Sequence, residues 1–386
     1  MAVETGVQYY GSLAAANTPL DLRTTGIMKI AKLAPFLRFL DFVKKGPKPK
    51  AEKVEYAADD YLTHTVTTSG ATADTTTGTV TVTSGDETKV VAGDKLQNPL
   101  TREMMLVTST VAGTINVTRS IGDASGNIAN AQVLYILSNT AAEGSDPPTA
   151  KHQPASWTYN YLEHVKKPID ITGRMQRLGT REYEGKDALY NNEKMKRFQE
   201  MLRELELTFF LGQLATSGST STRRTYMQGL EEFIRDADSR TYNVNGSALT
   251  WAIIEALADQ AFNDTDVDEL WGFASPRYMS QFGQLLYAKW TPDEVKSRKL
   301  GATVMKVETS HGVINLIREH YFRNDLAAYM FLVDKTCIEK VETIPLHCKD
   351  DVQAEKSDVR QGYWEWEGTI LVRHPTRLTL AYGLTA

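Results

Sequence analysis

Residues 79–118 read TVTVTSGDETKVVAGDKLQNPLTREMMLVTSTVAGTINVT. Threonine alternates with valine at 79–83, and polar and apolar residues alternate again at 114–118, which is the period-two pattern of a half-buried β-strand. Glycines separate these segments, as expected where a chain turns between strands. The stretch therefore predicts several short strands joined by tight turns, arranged as a small barrel or sandwich.

The same composition extends over residues 62–156, about a quarter of the chain. Tyr135 is the only Phe, Tyr or Trp residue in this segment, which also has no cysteine. All six tryptophans follow it, so the part of the chain that can bury large side chains begins at Trp157. We expect the segment to bury little surface by itself and to gain burial from a partner, which favours assembly over catalysis.

The overall composition is that of a globular chain. Its 386 residues, 41% of them hydrophobic, suffice for two or three domains with cores. A net charge of −5 argues against general affinity for nucleic acid, since such proteins carry a basic excess or a basic face. Cys337 and Cys348 lack a CxxC spacing, so neither a disulfide nor bound zinc is expected. Without a recognisable membrane span or signal peptide, the chain is expected to be soluble and cytosolic when made.

Residues 1–61 are predicted to form an N-terminal arm. Its apolar residues recur at helical spacing and predict a short amphipathic helix that ends before Gly46-Pro47. A lysine-rich tether follows and is interpreted either as a solvated linker or as a docking segment for a neighbouring subunit or nucleic acid. A membrane-surface helix is a third interpretation. The candidate assembly-interface residues come from this arm and from the strand-rich segment: Leu33, Phe36, Leu37, Leu40, Lys44, Lys45, Met104 and Met105.

A long helix is predicted at about residues 186–214. One apolar stripe runs along it, with residues three or four apart: Met195, Phe198, Leu202, Leu205 and Phe209. Its other face carries charged residues, among them Arg203 and Glu206. This pattern favours a spine laid across a sheet over a coiled coil, because the stripe is short and broadens at its end.

The remainder predicts a compact α/β portion and terminal strands. Helices are predicted at Thr250–Phe262 and from Ser275-Pro276 onward, where serine caps and proline starts the helix. Strands are predicted at 304–307, 313–317 and 329–333. Near the C-terminus, Trp364, Trp366, Ile370 and Val372 alternate with polar residues such as Glu365. This alternation predicts a half-buried strand whose tryptophans belong to the core rather than to a base-stacking platform.

The sequence contains no recognisable catalytic or metal-binding constellation. The carboxylate run at 264–268 lacks the glycine and the glutamate that a calcium loop requires. The seven histidines include no HExxH motif and no pair at helical spacing. P-loop, nucleophile-elbow and dinucleotide-binding motifs are also missing. We therefore predict no enzyme activity, no catalytic residues, no cofactor and no metal.

The order of parts resembles one known family. The chain has, in order, an N-terminal arm, an extended β segment, a long helix, a compact α/β portion and a return to strands. This order resembles that of the major capsid protein of tailed bacteriophages, whose fold is shared with herpesvirus shells. The segments most similar to that family are KPIDI at 167–171, FASP at 273–276 and the ending from Val372 to Leu384. In this order the resemblance covers nearly the whole chain.

The resemblance implies an α+β fold in four parts. These are the N-terminal arm (1–61), an extended loop with a β-rich insertion (62–156), a peripheral domain with a spine helix (157–245 and 346–386) and an axial domain (246–345). It further implies a structural protein whose hexamers and pentamers form an icosahedral phage head around double-stranded DNA, without sequence-specific binding. Its partners would be copies of itself and separate scaffolding, portal and decoration proteins, and it would be located in the virion after assembly in the host cytoplasm.

Two other function classes remain open from sequence. A cell-surface or tail-associated β-rich adhesin would bind glycans through the threonine-rich segment and stay a small oligomer. A hydrolase with a β accessory module would lose turnover after one substitution within residues 246–345. The first lacks an export signal, and the second lacks a recognisable catalytic constellation.

Overall fold

The structure, a computed structural model, describes residues 34–43, 45–58, 63–72, 78–141, 143–144, 146–147, 150–151, 155–178, 188–219, 222–236, 240–263, 268–287, 304–353 and 358–385. The chain divides into two compact units. We call residues 1–56 with 157–386 the main unit and residues 57–156 the inserted unit. The mixture of helices and strands confirms the predicted α+β class. The finer division of residues 157–386 into peripheral and axial domains stays a prediction.

The α-helices of the described residues are α1 (Pro35–Phe42), α2 (Gly173–Leu178), α3 (Ala188–Leu211), α4 (Leu230–Asp236), α5 (Trp251–Phe262) and α6 (Pro276–Tyr287). The strands are β1 (Lys53–Ala58), β2 (Thr65–Thr67), β3 (Thr79–Thr81), β4 (Asp94–Gln97), β5 (Met104–Val111), β6 (Thr114–Thr118), β7 (Val133–Asn139), β8 (Ser156–Tyr161), β9 (Glu163–Thr172), β10 (Ala215–Ser217), β11 (Arg224–Tyr226), β12 (Thr241–Asn243), β13 (Glu269–Ala274), β14 (Val304–Glu308), β15 (Val313–Arg318), β16 (Met330–Val333), β17 (Ile338–Lys349), β18 (Val359–Val372) and β19 (Leu378–Tyr382).

A six-stranded mixed sheet lies at the centre of the main unit, in the order β12-β19-β16-β13-β15-β14. Because side chains alternate along a strand, each strand contributes to two cores. Leu316 and Leu332 pack with α5 and α6 on one face. Phe273, Phe331 and Leu380 pack with α1, α3 and α4 on the other. The sheet is therefore covered by helices on both sides.

Local signals place α5 and α6 where the sequence predicts them. Thr250 caps α5, its hydroxyl oxygen accepting a hydrogen bond from Ile253 N at 3.3 Å. Ser275 does the same for α6 by accepting from Tyr278 N at 3.3 Å, and Pro276 follows it as the first helical residue. These caps satisfy amide groups that the helix itself leaves unpaired.

The spine helix α3 packs on a three-stranded antiparallel sheet of order β17-β18-β9. At 24 residues it is about 36 Å long. The Trp364 ring lies 4.5 Å from the Phe198 ring, and its indole N–H donates to Lys194 O at 2.9 Å. The Trp366 ring lies 5.5 Å from that of Phe209 and is buried. Trp366 is thus a core residue, as predicted, and Trp364 is partly buried against the same core.

The inserted unit is an antiparallel six-stranded sheet of order β2-β7-β4-β5-β6-β3. An isolated bridge between Thr68 and Val82 joins its two edges, so the sheet closes on itself. Its interior is filled by buried aliphatic and methionine side chains: Val66, Val80, Val82, Val90, Leu96, Met105, Val107, Ile115, Val117, Ile128 and Leu134.

The expectation that this segment buries little surface by itself is wrong. A small closed sheet has a narrow interior that branched aliphatic residues fill well, so it needs no tryptophan or phenylalanine. The scarcity of aromatic residues therefore reflects the dimensions of the core, and the unit does not need a partner in order to have one.

Candidate assembly surfaces

A buried carboxylate from the spine helix caps helix α1. Glu206 accepts hydrogen bonds from the amides of Phe36 at 2.7 Å and Leu37 at 3.0 Å. Ala34, the residue before the helix, has no side chain that could do so. Although the sequence places Glu206 on the charged face of α3, the structure buries it completely. The arm helix and the spine helix are therefore tied by a contact between residues about 170 positions apart.

The apolar face of α1 is covered from within the chain. Phe36 lies at the centre of an aromatic cluster, 4.6 Å from the Phe210 ring and 5.0 Å from the Phe273 ring. Leu37 and Leu40 are buried in the same core. For these three candidates, the inference that an uncovered face awaits a partner subunit is corrected, because α3 and the sheet already cover it.

Other residues of the arm remain exposed. Lys45 is exposed and lies 3.6 Å from Asp41 in a surface ion pair. Phe42 is 54% exposed and was missed from sequence, because it falls outside the helical stripe that defines the buried face. Leu33 and Lys44 lie outside the described residues.

A second carboxyl lies beside Glu206. Glu319 is also completely buried, and one of its oxygens accepts from Tyr321 N at 3.2 Å. Burial raises the pKa of Glu206 to about 7, and burial together with the neighbouring carboxyl raises the pKa of Glu319 well above its usual value. Two completely buried carboxyls side by side cannot both ionise easily, so the pair retains a proton near neutral pH.

The two methionine candidates point to opposite faces of β5. Met105 is buried inside the inserted unit, whereas Met104 is half-buried on its outer face. Met104 pairs with Gln97 on β4, which pairs in turn with Tyr135 on β7. This row places Met104 on the same outer face as Tyr135, the only aromatic residue of segment 62–156.

The outer face of β7 carries a stripe of exposed apolar residues. Val133, Tyr135 and Leu137 alternate along the strand and are 39%, 47% and 47% exposed. They were missed because the sequence from 133 to 137, VLYIL, is apolar at every position and hides which side is outward. We call Met104, Val133, Tyr135 and Leu137 the outer apolar face.

A further exposed aromatic group lies on the two-stranded sheet of β1 and β8. Trp157 is 72% exposed, and Tyr159 follows on the same side of the strand. The Lys53 ammonium lies 4.0 Å from the centroid of the Tyr159 ring, a cation–π contact. A large indole left in water on a short β-ribbon is typical of a protein–protein contact.

One buried carboxylate, Glu365, is held by three basic side chains. Glu365 is buried and surrounded by Lys349 at 2.6 Å, His164 at 2.9 Å and Lys166 at 3.3 Å. The hydrogen bond from Lys349, with those of the other two, lowers the pKa of Glu365 to about 2 despite burial. A carboxylate that stays ionised near neutral pH ties β9, β17 and β18 together and cannot shuttle protons there.

The two thiols are equally unsuited to catalysis. Burial raises the pKa of Cys337 to about 12 and that of Cys348 to about 11. The thiolate is the reactive form, so neither is an activated nucleophile. Within the described ranges, no group of three or more His, Cys, Asp or Glu side chains could hold a metal ion. Of the helices that the structure describes, none has the length and apolar character to cross a membrane.

Comparison with known proteins gives one family. The model of the family described as SU10 major capsid protein matches residues 24–385. Among solved structures, one from Mycobacterium phage Bobi is 12% identical with a TM-score of 0.46, over 99% of this chain and 96% of that chain. One from Microbacterium phage Oxtober96 is 12% identical with a TM-score of 0.46, over 90% of each chain. No curated protein matches the sequence.

Proposed function

The chain belongs to the SU10 major capsid protein family, and we propose that copies of it form the hexamers and pentamers of an icosahedral head around double-stranded DNA. It is thus a structural protein of the virion capsid that assembles with copies of itself. The observation that carries this proposal is the extent of the family match, 24–385, which includes both units. The match confirms the resemblance found in the sequence and replaces the adhesin and hydrolase alternatives.

We infer further that apolar and charged contacts between subunits hold the shell together. The ionised Glu365 and the protonated thiols support a chain without catalytic activity of its own. Many modest interfaces, each repeated around a closed lattice, give a stable shell even where a single contact is weak. Separate scaffolding, portal and decoration proteins are proposed partners, and assembly in the host cytoplasm is the proposed route.

The outer apolar face of the inserted unit is the proposed subunit interface. Its side chains are uncovered, yet they are not needed for the core of the unit, which lies on the opposite side of the sheet. Exposed apolar stripes of this kind are characteristic of surfaces that become buried on association. Of the residues named from sequence, Met104 fits this surface and Lys45 is accessible for a second one, whereas Met105 belongs to the interior.

Assembly is tested directly on the purified protein. Light scattering on a sizing column, followed by negative-stain microscopy, should show closed shells or rings of five or six subunits, alone or with a co-expressed scaffolding protein. A monodisperse species of one to three chains under every condition would contradict the proposal.

The interface is tested by substitutions that spare the core. Tyr135→Glu with Leu137→Glu should leave the far-UV circular dichroism unchanged and strongly reduce shell formation, because two charges then replace apolar contact area. Ser84→Glu with Ala112→Glu is the matched control, since both residues are exposed in turns of the same unit. Normal shells from the double variant would remove the outer apolar face from the interface.

A further inference from the structure

The main unit contains a cavity of about 460 Å³ between the spine helix and the segment that follows β15. This volume falls in the range of sites that hold a small ligand or a few side chains. Its lining residues are Arg203, Leu207, His320, Tyr321, Arg323, Asn324 and Leu326. None of these is acidic, although acidic residues outnumber basic ones in the chain as a whole.

Two arginines give the cavity its charge. The Arg203 guanidinium lies 5.9 Å from the centroid of the Tyr321 ring, and Arg323 Nε donates to His320 O at 3.1 Å. Both side chains are exposed, and neither forms an ion pair with a carboxylate in the part of the chain that the structure describes. Guanidinium groups bind carboxylates through two parallel hydrogen bonds, so the cavity suits that ligand.

Nearby acids do not cancel this charge. Glu206 and Glu319, which interact electrostatically with Tyr321, are completely buried, and burial raises the pKa of both carboxyls and favours their neutral forms. Asp325 is exposed next to Asn324 and is not part of the cavity lining. The cavity therefore remains positive at neutral pH.

The complementary charge lies in the inserted unit. Residues 57–156 contain ten Asp or Glu and five Lys or Arg, a net charge of −5 that equals the net charge of the whole chain. Its buried acids are already paired, Glu103 with Arg119 and Asp94 with Lys151. Glu143 and Asp146 are exposed, three positions apart, and have no cationic partner among the described residues.

We propose that the cavity binds the acidic segment around Glu143 and Asp146 from the inserted unit of a second copy of the chain. Two arginines then meet two carboxylates, and the two carboxylate side chains alone are small enough for the available volume. This inference rests on the proposed function, because it names the partner of one surface in the shell.

Binding is measured first without shells. A fluorescently labelled peptide of residues 141–150 is titrated with the full, unassembled chain at about 50 mM salt, where exposed charges are weakly screened. The wild-type chain should bind it, and Arg203→Glu with Arg323→Glu should weaken binding at least tenfold. A peptide with Glu143→Gln and Asp146→Asn should lose binding to the same extent. Equal binding by the wild-type and double-variant chains, or no binding at all, would overturn the proposal.

Shell yield gives the second measurement. The arginine double variant should lower it at least tenfold, and combining it with Glu143→Lys and Asp146→Lys in the same chain should restore it. Arg224→Glu and Asp123→Lys are matched controls at exposed positions of the two units. Equal loss in the controls would show a general charge effect and overturn the proposal, as would failure of the charge swap. If the wild type binds the peptide but forms no shell, the proposed function fails while the cavity assignment stands.

Discussion

Glu206 and Glu319 make the stability of the main unit depend on pH in an unusual direction. In an unfolded chain both carboxyls titrate near 4.3. The folded chain still holds a proton there at about pH 7, so between these values it binds more protons than the unfolded chain. The free energy of unfolding contributed by the pair is therefore largest below about pH 4.3 and falls as the pH rises through the folded pKa values.

Glu319→Gln should remove most of this dependence. The amide keeps a neutral hydrogen-bonding group beside Glu206 without a second charge. At pH 8 we expect the variant to be more stable than the wild type by on the order of 1 to 3 kcal/mol, and at pH 5 the two should be similar. Urea unfolding at both pH values measures this, with Glu308→Gln on the surface as the control. Parallel wild-type and variant profiles would contradict a shared proton.

Arg119 and Glu103 form the corresponding contact in the inserted unit. Arg119 Nε lies 2.8 Å from Glu103 Oε1, Nη2 lies 2.6 Å from Oε2, and both side chains are almost completely buried. Burial alone would raise the pKa of Glu103, but the hydrogen bonds and charge of Arg119 lower it. Arg119→Ala would leave a buried carboxylate unpaired and should destabilise this unit by about 3 to 5 kcal/mol.

Calorimetry of Arg119→Ala tests this, since the inserted unit should then melt earlier while tryptophan fluorescence, which reports only the main unit, stays unchanged. Glu103→Gln with Arg119→Met should recover most of the loss, because no charge remains buried. Because the pKa of Glu103 is lowered, the stabilisation by this pair is present above the usual titration range of glutamate and is lost as the pH falls through the folded value.

At the scale of elements, helix α1 shows what periodicity can and cannot predict. The stripe through Phe36, Leu37 and Leu40 correctly predicts an amphipathic helix, but the same stripe suits a partner subunit or the chain's own core. Glu206 caps α1 and so holds its stripe against the chain's own core. Because Glu206 is an acidic residue among other charged residues of α3, the spacing of apolar residues could not predict that it is buried. Long-range contacts of this kind are set by tertiary packing, which a local pattern does not contain.

Phe36→Ala should destabilise the main unit strongly. Its ring is buried against Phe209, Phe210 and Phe273, so truncation leaves a cavity worth about 3 to 5 kcal/mol. Denaturant unfolding followed by tryptophan fluorescence measures the loss. Phe42→Ala removes the same side chain from an exposed position of the same helix and should cost less than about 1 kcal/mol. Similar losses in both variants would show that α1 does not pack as described.

Strand β5 shows a different limit of sequence reasoning. Met104 and Met105 were both predicted to face a partner, although consecutive strand residues must face opposite sides. The sequence alone does not indicate which of two consecutive methionines faces the interior. The uniformly apolar stretch from 133 to 137 likewise does not indicate which residues of β7 face outward. The strand register determines the inward side: β4 places Leu96 opposite Met105 in the interior and Gln97 opposite Met104 outside.

At the scale of the whole molecule, the inserted unit is a compact body that the chain enters and leaves at neighbouring points. Leu162 N donates to Glu52 O at 2.9 Å, so the end of β8 lies beside the start of β1 and the two strands run antiparallel. Ala58 and Ser156, at the opposite end of this pair, are therefore neighbours. A short linker can join them without stretching the main unit.

Replacing residues 59–155 with a short Gly/Ser linker should separate folding from assembly. We expect a soluble chain with unchanged α-helix content and a tryptophan-detected unfolding transition close to that of the wild type, because every α-helix described and all six tryptophans lie in the main unit. Shell formation should fail, because the outer apolar face and the acidic segment are both removed. A short Gly/Ser insertion after Gly113, in the turn between β5 and β6 where φ is +73°, is the control that disturbs the unit without removing it. Normal shells from the linker variant, seen by negative-stain microscopy, would show that the inserted unit decorates the shell instead of holding it together.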